Sequence, residues 1–308
     1  MIRYFVLPVM CLMLLMASFA QARPVPQIAV LISYDTKATN KVLDGFRSHF
    51  DTHGIKAKFD LYQLKKSKDE AEKTVTKLLK LKPDLILAIG SLALNVIGKN
   101  ITEVPVIASM VLSNENLEKY KNVTGVSLAF SLKEQTTWLQ KILPESRNIG
   151  VLYNSEKNRI QMNAANKLLK GKGLTLLQEQ ISNPTKIPQA LKQLENKADV
   201  LWGLNDAMVL NPKTAKNILL FSFRNKIPFI GLSHAWVKAG ALYALERDYL
   251  DIGLQCAEQA TEILSGKNID KVRISTPRKT LYSLNMKIAD RLKIVFSEEL
   301  IANAEMTF

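Results

Sequence analysis

Short apolar runs alternate with amphipathic stretches along most of the chain. The runs are rich in Val, Ile and Leu and end in polar residues, and the stretches that follow repeat their apolar positions every three to four residues. This alternation predicts buried parallel strands covered by helices on both faces of a sheet. Predicted strands cover residues 27–34, 55–62, 84–89 and 104–109, and then 147–153, 174–180, 199–204 and 227–231. Predicted helices cover residues 38–53, 68–81 and 91–99, and then 156–171, 186–196 and 212–225.

The same arrangement occurs twice, which indicates two lobes. Residues 28–34 are repeated by 149–154, residues 83–90 by 198–204, and residues 104–107 by 227–230. The predicted fold is α/β, with two similar Rossmann-like lobes joined by hinge strands around a central cleft. The predicted crossings are residues 123–128 and 232–246. Lobe 1 is then expected to hold residues 23–126 and about 242–275, and lobe 2 residues 127–241 and about 276–308.

Residues 1–22 have the features of a secretory signal peptide. Arg3 gives a positive start, residues 4–19 are almost wholly apolar, and Ala20-Gln21-Ala22 fits a cleavage site. The alternative is an uncleaved membrane anchor. Only Cys256 remains after cleavage, so no disulfide forms within the chain, and an exported protein of this kind fits a bacterial periplasm.

The chain is strongly basic, with a formal net charge of +14. Removal of the leader takes away Arg3 and leaves +13. The lysines are scattered along amphipathic helices instead of being concentrated with aromatic residues, so nucleic acid is not an expected partner. The charge indicates a solvated surface with some attraction to anionic solutes or lipid headgroups. The protein is expected to be a monomer.

The loops that leave the predicted strands hold the candidate ligand contacts, because ligands of open parallel sheets bind beyond the carboxyl ends of the strands. These loops are polar and aromatic. The predicted ligand-binding residues are Tyr34, Asp35, Gly90, Ser91, Ser113 and Asn114 in the first half and Tyr153, Asn154, Asn205, Asp206 and Ser233 in the second half.

Ser91 and Asp206 have the most definite chemistry in this set. Ser91 opens a helix after a buried strand, where free N–H groups favour an anion such as a carboxylate, and its alternative role is that of a helix N-cap. Asp206 is suited to bind an ammonium group, and its alternative role is to cap the helix at 212–225 or the loop before it. Tyr34 and Tyr153 occupy equivalent strand ends and are candidate stacking walls, as are Trp202 and Trp236; burial in the core is the alternative.

Signatures of catalysis and of cofactors are missing from the sequence. It contains no dinucleotide or nucleoside-triphosphate loop, no nucleophile elbow and no zinc-protease motif, so neither an enzyme nor a cofactor is expected. His49 and His53 are four residues apart on a predicted helix, but no third metal ligand is evident, and a solvated helix face is the favoured interpretation.

Five stretches carry a resemblance to a known family. They are residues 83–90, 122–127, 143–154, 239–242 with 248–253, and 263–266. Through them the chain resembles the ABC-transporter substrate-binding family that includes tryptophan- and tyrosine-binding proteins, which has the type I periplasmic-binding-protein fold. The resemblance implies that an amino acid or similar solute is closed between the lobes, with its carboxylate at the helix start that matches Ser91. The chain departs from the family pattern at residues 34–37, 113–114 and 295–297.

The sequence supports two candidate functions. The first is a periplasmic solute receptor that binds a small organic ligand and delivers it to the membrane permease of an ABC importer. The expected ligand is an amino acid, with an aromatic amino acid as the narrower expectation. The alternative is a periplasmic sensory module that signals to a membrane partner such as a histidine kinase. An exported hydrolase is disfavoured because no catalytic constellation is present.

Overall fold

The computed structural model describes residues 25–64 and 68–308 and contains two α/β lobes. The predicted leader, residues 1–22, lies outside the described residues. None of the helices in the described ranges combines the length and apolar composition that a membrane span requires.

The first lobe is built on a wholly parallel sheet in the order β2-β1-β3-β4-β5. Its strands are fully buried except at the β2 edge, as the continuous apolar runs predict. The elements are β1 (Gln27–Ile32), α1 (Lys37–Thr52), β2 (Lys58–Gln63), α2 (Lys68–Leu81), β3 (Leu85–Ile89), α3 (Ser91–Asn100), β4 (Val106–Val111), α4 (Asn114–Glu118) and β5 (Val123–Ser127).

The second lobe contains a seven-stranded sheet in the order β12-β11-β10-β9-β8-β6-β7. Its first elements are α5 (Leu132–Ile142), β6 (Asn148–Tyr153), α6 (Ser155–Lys170), β7 (Thr175–Gln180), α7 (Ile187–Leu194), β8 (Val200–Trp202), α8 (Pro212–Asn225), β9 (Phe229–Gly231), α9 (His234–Ala239) and β10 (Tyr243–Arg247). After an excursion into the first lobe, the chain adds β11 (Thr280–Leu284), α11 (Met286–Leu292), α12 (Glu298–Ala302) and β12 (Met306–Thr307). These two sheets confirm the predicted two-lobed α/β fold.

The excursion is α10 (Tyr249–Leu264), which packs on α1 in the first lobe. The apolar side chains of Ile252 and Cys256 lie in one core cluster with Val42 and Phe46. Residues 232–246, predicted as a crossing, instead form α9 and β10 of the second sheet, so the chain returns to the first lobe at Asp248 and not near residue 242. β10 has no counterpart in the repeat of the first half, and its apolar run was therefore assigned to a crossing.

Three segments cross between the lobes. The chain passes over at residues 128–131, at Asp248 and at residues 275–279. Near the third crossing, Ser275 forms a β-bridge with Val126 of β5. The third crossing enters the second sheet at the end where β10 leaves it, and β11 therefore runs antiparallel to β10.

A pair of histidines lies where α1 packs on α10. The rings of His49 and His53 stack with centroids 4.2 Å apart, and His49 Nε2 lies 3.2 Å from Thr261 Oγ1. Within the described residues, no group of three or more His, Cys, Asp or Glu side chains is placed to hold a metal ion. Burial, and secondarily the His53 charge, lower the pKa of His49 below its ordinary value.

This lowered pKa predicts acid sensitivity of the first lobe. The folded state prefers neutral His49, so its contribution to stability is complete above pH 6.5 and declines as the pH falls from there toward the lower folded-state pKa. Urea unfolding at pH 7.5 and pH 5.5 measures the effect. We expect the wild type to lose more stability than His49→Asn across this interval; an equal loss in both would contradict the assignment.

Candidate functional site

A cavity of about 1130 Å³ lies between the lobes. This volume is slightly above the usual range of small-molecule sites, about 300–1,000 Å³, and accommodates a small organic ligand with water. The first lobe contributes residues 112–116 and Lys119 after β4, and the second lobe contributes residues 202–205 after β8 and 230–232 after β9. The crossings contribute residues 128–130 and Arg247. The cavity thus lies beyond the carboxyl ends of strands from both sheets, as the fold predicts.

The end of β4 is bent toward the cavity by a register shift between Ser109 and Val111. Met110, between them, has a φ of 58°, which a residue with a side chain seldom adopts. Bulges of this kind redirect a strand end next to binding sites. Here the bulge is followed directly by Leu112, Ser113 and Asn114, all of which line the cavity.

Arg247 is the cationic group closest to the hinge in this cavity. Its Nε donates a 2.7 Å hydrogen bond to the carbonyl oxygen of Leu128, which links the first crossing to the end of β10. Its guanidinium carbon lies 4.4 Å from the centroid of the Phe130 ring. Burial lowers the pKa of Arg247 below its ordinary value. Electrostatic interactions with Tyr249, Glu246 and Glu134 act in the opposite direction. Because a guanidinium stays protonated in proteins, a poorly solvated cation here favours an anionic ligand group.

Trp202 forms an aromatic wall of the cavity at the end of β8. Its indole Nε1 donates a 3.2 Å hydrogen bond to Gln135 Oε1, which fixes the orientation of the ring. Both residues line the cavity together with Phe130. The wall continues into the core of the second lobe through Leu139, Ile149 and Tyr243. The cavity therefore offers apolar and aromatic surface, with the Arg247 cation directly beside the Phe130 ring.

Asn114 brings an unpaired acceptor to the first-lobe side. Its Oδ1 is buried and has no hydrogen-bond partner among the described residues. A buried amide oxygen without a partner costs free energy, and a ligand donor would offset that cost. Ser113, at the N-cap position of α4, makes no side-chain capping bond, so its hydroxyl is not used for that purpose.

The structure brings three of the sequence-predicted residues to the cavity wall: Ser113, Asn114 and Asn205. The other eight lie elsewhere. Tyr34 and Asp35 are exposed on the loop after β1, with Tyr34 54% accessible. Ser233 is half-buried at the start of α9.

Gly90 and Ser91 form the start of α3, where Gly90 and not Ser91 is the N-cap. The hydroxyl of Ser33, a buried residue after β1, accepts a 2.8 Å hydrogen bond from the Ala93 N–H. One free donor of the helix start is therefore already satisfied by the protein. Gly90 has a φ of 99°, and a Cβ there would lie 2.5 Å from Ser33 Oγ, so this position requires glycine.

Tyr153, Asn154 and Asp206 have structural roles in the second lobe. Tyr153 is 4% exposed in the core cluster and does not line the cavity. Asp206 is 3% exposed and accepts 2.7 Å hydrogen bonds from the Asn154 N–H and from Asn158 Nδ2. It also accepts a bond from the Met208 N–H, so the alternative of capping the approach to α8 is the role seen. Trp236 packs edge-on against Phe229 on the far side of the sheet.

Some of the cavity residues that were not predicted lie at the crossings, among them Phe130 and Arg247. Phe130 and Arg247 lie outside the sequence repeat shared by the two halves, so the repeat did not predict them. A signal was available, because a chain that crosses between two lobes must pass along the floor of the cleft at each crossing. Lys119, Lys157 and Asn158 also line the cavity and were not predicted.

Comparison with known proteins agrees with this arrangement. A tyrosine-binding protein of Clostridioides difficile (strain R20291) is 26% identical over 285 residues, which cover 84% of this chain and 81% of the relative. An open, ligand-free substrate-binding protein with adhesive properties from Clostridium difficile superimposes with a TM-score of 0.77 at 22% identity, covering 92% of this chain and 99% of that one.

A further solved structure is an ABC domain in complex with L-Trp from Streptococcus pneumonia. It superimposes with a TM-score of 0.62 at 20% identity and covers 92% of this chain and 100% of its own. These structures share the two-lobed fold. Residues 27–308 also match the sequence pattern described as ABC transporter substrate binding protein. The chain therefore belongs to the ABC transporter substrate-binding protein family.

Proposed function

We propose that the protein binds an aromatic α-amino acid, L-tyrosine or a close analogue, between its lobes and delivers it to the membrane permease of an importer. The proposal includes export to the periplasm by way of the leader at residues 1–22. Support comes from family membership, from the tyrosine-binding and L-Trp-bound relatives, and from the aromatic surface and the cation that line the cavity.

The observation that carries the proposal is the placement of Arg247 beside Phe130 in a cavity that Trp202 also lines. A ligand carboxylate accepts from the free N–H groups of Arg247, and this charge-assisted pairing is strong because the site is poorly solvated. The ligand ring then lies against the indole of Trp202, whose orientation is fixed by Gln135.

The opposite lobe supplies the partner for the amine. A ligand ammonium donates to the buried Oδ1 of Asn114, which has no partner among the described residues. A zwitterion that bridges Asn114 and Arg247 contacts both lobes at once. Binding thus favours the closed arrangement by the free energy of the ligand contacts that form only when the lobes are closed.

Apolar residues at the cavity mouth support closure. Leu112 of the first lobe and Ile160 of the second both line the cavity and are 55% and 83% exposed. Removal of large aliphatic side chains from water lowers the free energy of the system by about 25 cal/mol per Å² of apolar surface buried. Approach of the lobes buries these two residues over the ligand.

Isothermal titration calorimetry of the purified protein against the common amino acids, glucose, ribose and short peptides tests ligand class. We expect saturable binding of L-tyrosine or L-tryptophan and at least 100-fold weaker binding of the sugars. Binding of a sugar with no response to any amino acid would contradict the proposal.

Delivery to a permease is tested separately with ligand-loaded protein immobilised on beads and solubilised membranes of the source cell. We expect recovery of permease subunits of an ABC transporter, and less recovery from the unloaded protein. Recovery of a sensor kinase in their place would contradict the import role and support the sensory alternative, while the ligand site would stand.

A further inference from the structure

The strong positive charge of the chain is not explained by a cleft that binds a zwitterion. One long stretch concentrates it: residues 207–245 contain no acidic residue and carry Lys213, Lys216, Arg224, Lys226 and Lys238. Most of this stretch lies on the second lobe around α8. An acid-free segment of this length contributes no counter-charge of its own to offset these cations.

The exposed face of α8 combines these cations with apolar side chains. Lys213, Lys216, Leu220, Phe223 and Arg224 are all exposed, and their spacing of three to four residues places them on one stripe of the helix. Leu220 is 38% and Phe223 44% accessible. We call this stripe the α8 face.

A residue from α11 extends the α8 face. The Arg291 guanidinium carbon lies 5.3 Å from the centroid of the Phe223 ring, which places another cation beside the exposed aromatic. No ion pair found among the described residues engages Lys213, Lys216, Arg224 or Arg291. These cations are therefore available to an outside anion.

Helix α6, on the other face of the same sheet, lacks this combination. Neighbouring residues of β6 point to opposite sides of the sheet, with Val151 in the core under α6 and Leu152 in the core under α7 and α8. On α6, Lys167 and Lys170 are exposed, but its large exposed apolar residue, Ile160, lies at the cavity mouth. Helices α6 and α8 therefore both carry exposed cations, but only α8 has an exposed aromatic side chain among them.

We propose that the α8 face is a docking surface for anionic lipid headgroups. Cations that flank partly exposed Phe and Leu side chains match an interface in which phosphate groups surround the upper part of the acyl region. The cations attract the negative surface, and Phe223 and Leu220 enter the headgroup layer. None of the residues that form the α8 face lines the cavity, so such docking leaves the cavity open to solute.

Vesicle co-sedimentation tests the proposal with the purified protein. The vesicles consist of phosphatidylcholine alone or with 30% phosphatidylglycerol, at 50 mM and 500 mM salt. Each cation near an anionic surface contributes about fivefold to partitioning, so we expect binding to the anionic vesicles at 50 mM salt and its loss at 500 mM. Equal binding to neutral vesicles, or no binding to the anionic ones, overturns the proposal.

Two triple variants with the same change in net charge locate the surface. Lys213→Glu with Lys216→Glu and Arg224→Glu alters the α8 face, and Lys167→Glu with Lys170→Glu and Lys172→Glu alters the α6 layer. We expect at least twentyfold weaker partitioning for the first and less than threefold for the second. Equal weakening would mean attraction without a preferred face and overturns the proposal.

The contribution of the Phe223 side chain to vesicle partitioning is measured with a substitution that leaves the net charge unchanged. We expect Phe223→Ser to weaken partitioning at least threefold while the midpoint of thermal unfolding stays near that of the wild type. If partitioning is unchanged in Phe223→Ser, insertion of the α8 face into the headgroup layer is excluded and the proposal falls.

Discussion

Arg247→Ala is expected to weaken L-tyrosine binding about 100-fold, the largest effect of any single change in the cleft. The substitution removes a half-buried cation whose paired hydrogen bonds to a carboxylate contribute about 3 kcal/mol. It also removes the bond to the Leu128 carbonyl that links two crossings. Titration calorimetry measures the change. Arg159→Ala, on the exposed surface of α6, is the matched control and is expected to bind as the wild type does.

Ligand analogues separate the contact with the carboxylate from a general effect on the hinge. Tyrosinamide lacks the carboxylate, so the wild type is expected to bind it about as weakly as Arg247→Ala binds tyrosine. Arg247→Ala is then expected to discriminate little between the two ligands, because the interacting partner is already gone. If the variant still prefers tyrosine as strongly as the wild type does, the carboxylate lies elsewhere.

Gly45→Ala is expected to destabilise the first lobe by about 3 kcal/mol, the largest effect on folding. A Cβ at Gly45 would lie 2.0 Å from the carbonyl oxygen of Leu250, and one at Gly253 would lie 2.1 Å from that of Val42. The backbones of α1 and α10 are thus in direct contact, and neither carbonyl moves without displacing its helix. The small gain in helix propensity of Ala over Gly does not offset this overlap.

Chemical denaturation measures the effect, with Gly171→Ala as the control. Gly171 has a φ of −65°, and a Cβ there would meet nothing closer than 3.5 Å. Its replacement is expected to change stability by less than about 1 kcal/mol, toward stabilisation. A Gly45→Ala protein as stable as the wild type would mean that α1 and α10 are not packed this closely.

The lobes were predictable because their signal is local and repeated. Buried strands such as β3 and β6 are continuous apolar runs bounded by polar residues, and each recurs at the equivalent place in the other half. β10 was harder to predict. It has no counterpart in the repeat, and it lies where the chain turns back toward the first lobe, so its apolar run was assigned to a crossing.

The cleft itself was predictable only in part. The rule that ligands bind beyond strand ends selected Ser113, Asn114 and Asn205, which line the cavity. The same rule selected Asp206, whose carboxylate is fully engaged by backbone and side-chain donors of its own lobe. Whether a polar residue at a strand end faces a ligand or satisfies a neighbouring loop depends on contacts distant in sequence. The position of Arg247 in the cavity depends on where the chain crosses between the lobes, and no local sequence pattern predicts that.

A crystal structure of the protein grown with L-tyrosine tests the central claim most directly. The account predicts the amino acid between the lobes, with its carboxylate within hydrogen-bonding distance of Arg247, its amine at Asn114 Oδ1, and Leu112 and Ile160 closer together than in the present structure. Tyrosine bound outside the cleft, or bound within it with Arg247 turned away, would contradict the account.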